Sequence, residues 1–509
     1  MTIVPGLLPL FVVVPLAAAF VSPVLEKLKT PDEAQDGLAI VVTTLVLLGS
    51  IHLLTLTDTV YWIGGWKPPI LGINLVADGL SKLLLITVSA ISFLTTVFSI
   101  RYMARYTSKG LYYSLFSLMV CGMNGVILAG DLFNLYVFIE IAAISSYALV
   151  AFGCESEELE ACFKYLILGS VASAFVLFGI GILYNLTGTL NMAQLAQRTS
   201  NLNGNPALAL VAAFFFFGFG LKAAMVPFHA WLPDAHPSAP APISAMLSGV
   251  FIKASGIYVL ARLFFNVLGM CELYAHVLMA LGGLSMIIGV LLAVGQWDFK
   301  RLLAYHSISQ MGYVVLAVGV GGEVMARNGN HAVAALAIFG GLFHLINHAA
   351  FKSLLFLCSG SIEYRTGTRD LKQLGGLCWK MPLTNACCRV AALSISGVPP
   401  FNGFWSKLII IIAVVQAGHW WLGGLTVLVS FLTLLSFVKV QRYALQGPLP
   451  GLLRSIRETP WTMTVPLVGL AAVCILAGLL LPLYHEVLLD PARDVMLGGL
   501  RYAQAVLGD

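Results

Sequence analysis

Glu140, Lys222, Lys253, Lys352 and Lys407 each fall inside a long apolar run. A charge at mid-bilayer costs roughly 2.5–3.5 kcal/mol on insertion scales, so such residues face a polar interior and mark an ion or substrate path. Lysine suits proton handling because burial can strip its proton, whereas arginine effectively never gives one up. A second constellation joins them. His344, His348 and Lys352 recur every fourth residue, which on an α-helix advances ~400° per step and makes a polar stripe ~12 Å long. Histidine titrates near neutrality and can pass a proton on, so the stripe reads as a relay. Two other readings stand beside it. One is a zinc pair, although this His-x-x-x-His lacks the glutamate of a metalloprotease helix and shows no third ligand. The other is a satisfied packing interface.

The elements that position these groups follow from composition. Of 509 residues, 59% are hydrophobic and only 10% charged, which excludes an ordinary soluble domain. A helix needs ~20 mostly apolar residues to cross ~30 Å of hydrocarbon, and roughly fourteen such runs follow one another. The chain is expected to be an all-α, polytopic membrane protein with about 14 transmembrane helices. The run from Ile3 to Val21 has no basic segment before it, so it reads as a retained first span although Ala17-Ala18-Ala19 imitates a cleavage site. The net charge of +5 is scattered and gives no nucleic-acid signal. Nine cysteines show neither a C-x-x-C pair nor zinc spacing, and they read as small buried hydrophobes. No loop is long enough for a separate soluble domain.

Basic residues crowd alternate loops. One set holds Lys27, Lys29, Arg101, Arg105, Lys109, Lys164, Lys300, Arg301, Arg365, Arg369, Lys372, Lys380, Lys439, Arg442, Arg454 and Arg457. The other holds only Lys67, Arg198, Arg262, Arg327, Arg493 and Arg501. By the positive-inside rule the first set is cytoplasmic, and with fourteen spans both Met1 and Asp509 lie on the outer side of what is expected to be a prokaryotic inner membrane.

Two apolar stretches are interrupted, at Met225-Val226-Pro227-Phe228-His229-Ala230-Trp231 and at Gly397-Val398-Pro399-Pro400-Phe401-Asn402-Gly403-Phe404-Trp405. Proline removes a backbone donor and clashes with the preceding turn. Irregular backbone at membrane depth survives only inside protein or beside a wet cavity. Lys222 precedes the first break and Lys407 follows the second; for either alone, a proline kink with a snorkelling lysine is the competing reading. Laying Glu140–Gly153 on His306–Gly319 sets Glu140 on His306 and Tyr147 on Tyr313, two spans before each break. Two inverted five-helix repeats with broken helices are the expectation, a layout that carries ion sites near the midplane in many transporters. The boundaries are spans 1–3 over 1–111, a first repeat over 112–267, a second over 268–440, and a fourteenth helix and tail over 441–509.

The segments Gly130-Asp131-Leu132-Phe133-Asn134-Leu135-Tyr136-Val137-Phe138-Ile139-Glu140, Lys222 through His236, Pro240-Ala-Pro-Ile-Ser244-Ala and Gly397 through Lys407 resemble the proton-conducting antiporter-like subunits shared by respiratory complex I, Mrp-type cation/proton antiporters and membrane-bound hydrogenases. The resemblance covers nearly the whole chain, 80–440 most strongly, and the motifs are most similar to those of the D-type member of Mrp antiporters and of the corresponding subunit of membrane-bound hydrogenases. The chain ends too soon after its fourteenth span for the long lateral helix of the largest complex I paralogue. The resemblance implies that Glu140 and Lys222 form an ion pair whose loosening changes the lysine's proton affinity, and that Lys253 is a connecting lysine. It also implies that His306, His344, His348 and Lys352 lie on a central hydrophilic axis, and that Lys407 belongs to the exit half.

The expected function is translocation of protons, with or without Na⁺, by one subunit of a multisubunit membrane complex, through a buried Glu/Lys/His axis. Its partners would be other membrane subunits. The chain shows no Walker loop and no cysteine cluster, so no cofactor, metal or redox chemistry is assigned to it; an NADH dehydrogenase-like or hydrogenase-type complex, or an ion gradient, would supply the energy. Two rivals remain. A stand-alone secondary transporter for an organic solute would want one asymmetric pocket, and a passive membrane scaffold gives no reason to keep Glu140 and four buried lysines.

Overall fold

The computed structural model describes residues 5–66, 72–106, 108–202 and 204–508. Met1, Ile3, Lys67 and Asp509, which figure in the reading of the termini, the first span and the loops, lie outside them. Among the described residues twelve helices are long and apolar enough to cross a membrane. Spans 1–6 are Leu10–Lys27, Asp32–Leu54, Gly79–Arg105, Lys109–Leu128, Leu132–Val150 and Ser156–Thr187. Spans 8–11 are Ala241–Val267, Glu272–Val294, Phe299–Ala326 and His331–Thr366, and spans 13 and 14 are Trp420–Leu445 and Trp461–Leu479. The seventh and twelfth are each broken in two: Pro206–Lys222 with Leu232–Ser238, and Pro382–Ser396 with Asn402–Gln416.

Short polar residues start five of these helices. Asp78, Asp131, Asn205, Asp298 and Asn330 each accept a bond from a first-turn N–H, satisfying donors that a helix N-terminus leaves open. The connections gather on two faces. Bridges Leu75–Ala129 and Asp131–Asn191 tie loops of one face, and Asp298–Asp370 ties two loops of the other. Spans 9 and 10 touch backbone to backbone: a Cβ on Gly312 would stand 2.6 Å from the Gly282 carbonyl, and one on Gly289 2.6 Å from the Ser309 nitrogen. Small residues permit this approach where lipid supplies no hydrophobic drive between helices.

Several features depart from the sequence reading. Thr59–Trp62 and Asn74–Ala77 form an antiparallel hairpin. The tail after the fourteenth span is helical, over Leu481–Gly498 and Tyr502–Leu507, and Asn266 Nδ2 holds it through the Val495 carbonyl at 2.8 Å. Arg262, counted as a loop residue, is buried in the eighth span and grips both carboxylate oxygens of Asp78 at 2.6 and 2.7 Å. Lys109 and Lys300 are buried too, paired with Asp36 at 2.8 Å and Glu363 at 3.2 Å. A charge inside the membrane survives by finding a partner, and these partners lie 63 to 184 positions away, out of sight of a loop count.

Candidate ion-translocation axis

The first break sits directly after Lys222. Trp231 closes it by donating Nε1–H to the Leu221 carbonyl at 2.9 Å, while its ring stacks on Tyr165 at 4.1 Å. The interruption thus leaves Lys222 at a helix end, where a lysine favours the negative pole of the helix dipole. Lys222 Nζ lies 3.3 Å from Glu140 Oε1 and 2.9 Å from Ser173 Oγ. Ser173 also donates to Glu140, so three spans meet in a Glu140–Ser173–Lys222 cluster. Lys222 is buried, but 25% of the Glu140 side chain is exposed. Glu140 follows Phe133 and Val137 and precedes Ile144 on the outward apolar stripe of its helix; it stands at the protein's perimeter, not in its interior.

Lys253 belongs to a run of π-helical turns, Leu247–Phe251, Lys253–Tyr258 and Arg262–Val267. Such turns are frequent at functional sites because they loosen the backbone ladder. Lys253 is fully buried and donates to the Ser248 carbonyl at 2.7 Å, and Ser248 Oγ meets Ser307 Oγ at 2.6 Å, linking spans 8 and 10.

On span 11, His344, His348 and Lys352 are all fully buried. His344 Nδ1 pairs with Ser406 Oγ at 2.9 Å. Neither nitrogen of His348 or of His306, nor Nζ of Lys352, has a hydrogen-bond partner among the described residues. Two residues given no role by the sequence reading extend this row. Gln310 is buried with both amide atoms unpartnered, and so is His236, whose ring lies 4.8 Å from that of Phe356. Phe356 in turn faces Lys352 Nζ at 5.7 Å. His236 lay in view as the end of the motif that starts at Lys222. Ser173 carried no sequence signal, because a small polar residue in an apolar run is ordinary.

At the second break Gly397 adopts φ +74°, in the left-handed region, and Gly403 passes so close to the first half-helix that a Cβ would collide with the Ser394 carbonyl. Asn402 binds Asn347 at 2.9 Å and accepts from Ser394, fixing the break to span 11. Lys407 Nζ donates to the freed Ile395 carbonyl at 2.7 Å and to Ser430 Oγ at 3.2 Å. Its Nζ lies 4.9 Å from the Tyr313 ring, and the His344 ring is 5.5 Å from the same tyrosine. No metal-binding cluster of His, Cys, Asp and Glu occurs among the described residues.

One face also opens a polar cavity of about 480 Å³, lined by Arg105, Glu155, Glu158, Lys300, Glu363 and Arg369 among others. At its floor Lys300 donates to the Ala239 carbonyl at 3.0 Å, three residues from His236.

Buried lysines and histidines strung between two broken helices define an ion-translocating membrane protein of the antiporter-like class. Residues 129–433 match the family model described as NADH:quinone oxidoreductase/Mrp antiporter, transmembrane. The chain is 35% identical to NADH-quinone oxidoreductase subunit N of Desulforudis audaxviator, over 92% of this chain and 95% of that one. It is 33% identical to the D-type chain of the Na⁺/H⁺ antiporter of Alkalihalophilus pseudofirmus, over 88% of each. A chain of the Mrp complex from Dietzia sp. DQ12-45-1b superposes with a TM-score of 0.88 at 29% identity, covering all of both chains. The chain belongs to the NADH:quinone oxidoreductase/Mrp antiporter family of membrane subunits.

Proposed function

We propose that the chain moves protons, alone or in exchange for Na⁺, as one subunit of a multisubunit membrane complex. The observation that carries this reading is the row of fully buried ionisable groups joining the Glu140–Ser173–Lys222 cluster to Lys407. A buried polar group left unpaired costs about 1–3 kcal/mol, and polar, roomy interiors meet that cost with internal water. His236, Gln310, His306, His348 and Lys352 therefore favour a hydrated path over a packing interface. The cavity above Lys300 is the natural inlet, and Lys407 the last carrier before the opposite face. The reading divides the chain into the two repeats 112–267 and 268–440, flanked by 1–111 and 441–509. Gradual distribution over several spans fits an organic solute poorly, and a scaffold would not hold five unpartnered polar side chains.

The basic loops set Arg365–Lys380 in the cytoplasm of a prokaryotic cell, with both termini outside. Labelling a cysteine placed near Gln373 only from the outer surface would overturn this orientation. The function itself is tested by proton and Na⁺ flux in reconstituted complexes. Glu140→Gln and Lys222→Ala are expected to assemble normally and lose most flux; near-normal flux in both assembled variants refutes the reading.

A further inference from the structure

Glu323 is buried near the end of span 10, with 2% of its side chain exposed. Two other segments and the last turn of its own helix converge on it at the face opposite the cavity. His276 Nε2, from the start of span 9, lies 3.1 Å from Oε1; Arg327 Nη1 lies 2.9 Å from Oε1; and His419, at the start of span 13, bonds to Oε2. Arg327 is itself held by Glu272 at 3.0 Å and lies 3.4 Å from His276. Glu272, Arg327 and the two histidines are the charged and titratable groups around the carboxylate. Both histidines reach solvent, 47% and 21% exposed at the side chain. The result is an interior carboxylate screened from water by two imidazoles.

This cluster is in line with Lys407. His419, Gly423, Thr426 and Ser430 are spaced four, three and four residues apart, one face of a helix. On that face Ser430 accepts from Lys407, and the Thr426 carbonyl accepts from Tyr313 at 2.7 Å. Ten residues of helix carry the same side ~15 Å further, to Trp420, and His419 stands just before it as the N-cap. The intervening stretch is apolar and closed: Leu316, Ala317, Val320, Val414 and Leu422 are buried in one cluster with Tyr313. A carrier sealed behind a dry section needs an acceptor beyond it that is matched to neutral water, and imidazole is the side chain that titrates there. A purely structural tie would be complete with Arg327 alone.

We propose that His276 and His419, oriented by Glu323, form the outward port of the exit half. A proton leaves the Lys407 ammonium, which becomes neutral; it crosses the apolar section when water enters, converts an imidazole to imidazolium beside the Glu323 carboxylate, and passes to bulk water, restoring the neutral ring. The proposal rests on the assignment of Lys407 as last carrier.

The test measures flux and its dependence on outer pH in proteoliposomes holding the assembled complex. His276→Gln/His419→Gln keeps an amide able to donate to Glu323 but cannot titrate. Flux is expected to fall by at least ~10-fold, less than the ~100-fold or more of a lost interior proton-transfer group because water can partly replace an acceptor at the surface, and its dependence on outer pH to flatten. Wild-type flux per assembled complex with an unchanged pH profile overturns the port, including when thermal stability alone has dropped. Should the double variant fail to assemble, His276→Gln and His419→Gln made singly decide by the same two readouts, and wild-type flux with an unchanged pH profile in both overturns the port. Lys407→Ala in parallel separates the two levels: full flux there removes the exit assignment, whereas blocked flux there with a normal histidine variant removes only the port.

Discussion

The two lysines beside the breaks are held in opposite ways. Lys222 has a carboxylate at 3.3 Å and a serine that touches both. Lys407 has a backbone carbonyl, a hydroxyl and an aromatic face, and no carboxylate within ion-pair distance among the described residues. An opposite charge favours the charged form of a buried group, and dipoles alone favour it far less. In the proposed reading Lys222 therefore answers to the position of Glu140, whereas Lys407 has no such partner to answer to. The settings differ also in access: Glu140 stands on the perimeter, where a neighbouring subunit can reach it, while Lys407 is sealed. In the proposed reading one half is governed from outside the chain and the other discharges.

The largest expected effect comes from removing the sealed lysine. Lys407→Ala should lower flux by ~100-fold or more in assembled complexes, the range of a lost proton-transfer group, although Glu140 and Lys222 are untouched. Lys407→Glu should recover part of it, since a carboxylate also carries a proton. Stopped-flow flux with a pH dye checks both. Full flux in Lys407→Ala would reduce it to an anchor and end the comparison.

The contrast between halves was partly legible in the sequence. Proline and the two lysines announced both breaks, because a bilayer tolerates neither without an interior to receive them. The long apolar runs became helices such as Leu132–Val150 and His331–Thr366, since crossing hydrocarbon needs ~20 or more mostly apolar residues. What stayed hidden depends on distant pairing. Arg262 looked like loop charge because Asp78 lies 184 residues away, and Glu323 acquires its histidines from separate segments. Leu481–Gly498 was overlooked because its apolar residues are thinned by His485, Glu486, Asp490, Arg493 and Asp494.

A carboxylate placed in the second half should make it behave like the first. The proposed repeat sets His306 at the position of Glu140. His306→Glu is expected to hold the proton on Lys407 and slow discharge by ~10-fold, corresponding to ~1.4 kcal/mol. The same flux assay applies, with assembly confirmed by copurification. Unchanged flux would mean that the missing carboxylate is not what distinguishes the halves.

Glu140→Asp keeps the charge and shortens its reach by one methylene. The pair should loosen rather than vanish, so the loss of flux should be clearly smaller than in Glu140→Gln. Equal losses in the two variants would show that placement, not charge, governs the first lysine.

The smallest effect is expected at Ser173, and it probes how Glu140 and Lys222 communicate. Ser173 accepts from Lys222 at 2.9 Å and donates to Glu140. Ser173→Ala removes bonds to charged groups, worth roughly 1.5–3 kcal/mol each in isolation, yet the direct contact at 3.3 Å remains and can tighten to recover most of that energy. Flux should fall about two- to fivefold, under ~1 kcal/mol, and Ser173→Thr, which retains the hydroxyl, should restore it. A loss in Ser173→Ala as deep as in Lys222→Ala would mean that the proton passes through the serine hydroxyl, and that the first lysine is coupled to its carboxylate by a chain rather than by charge alone.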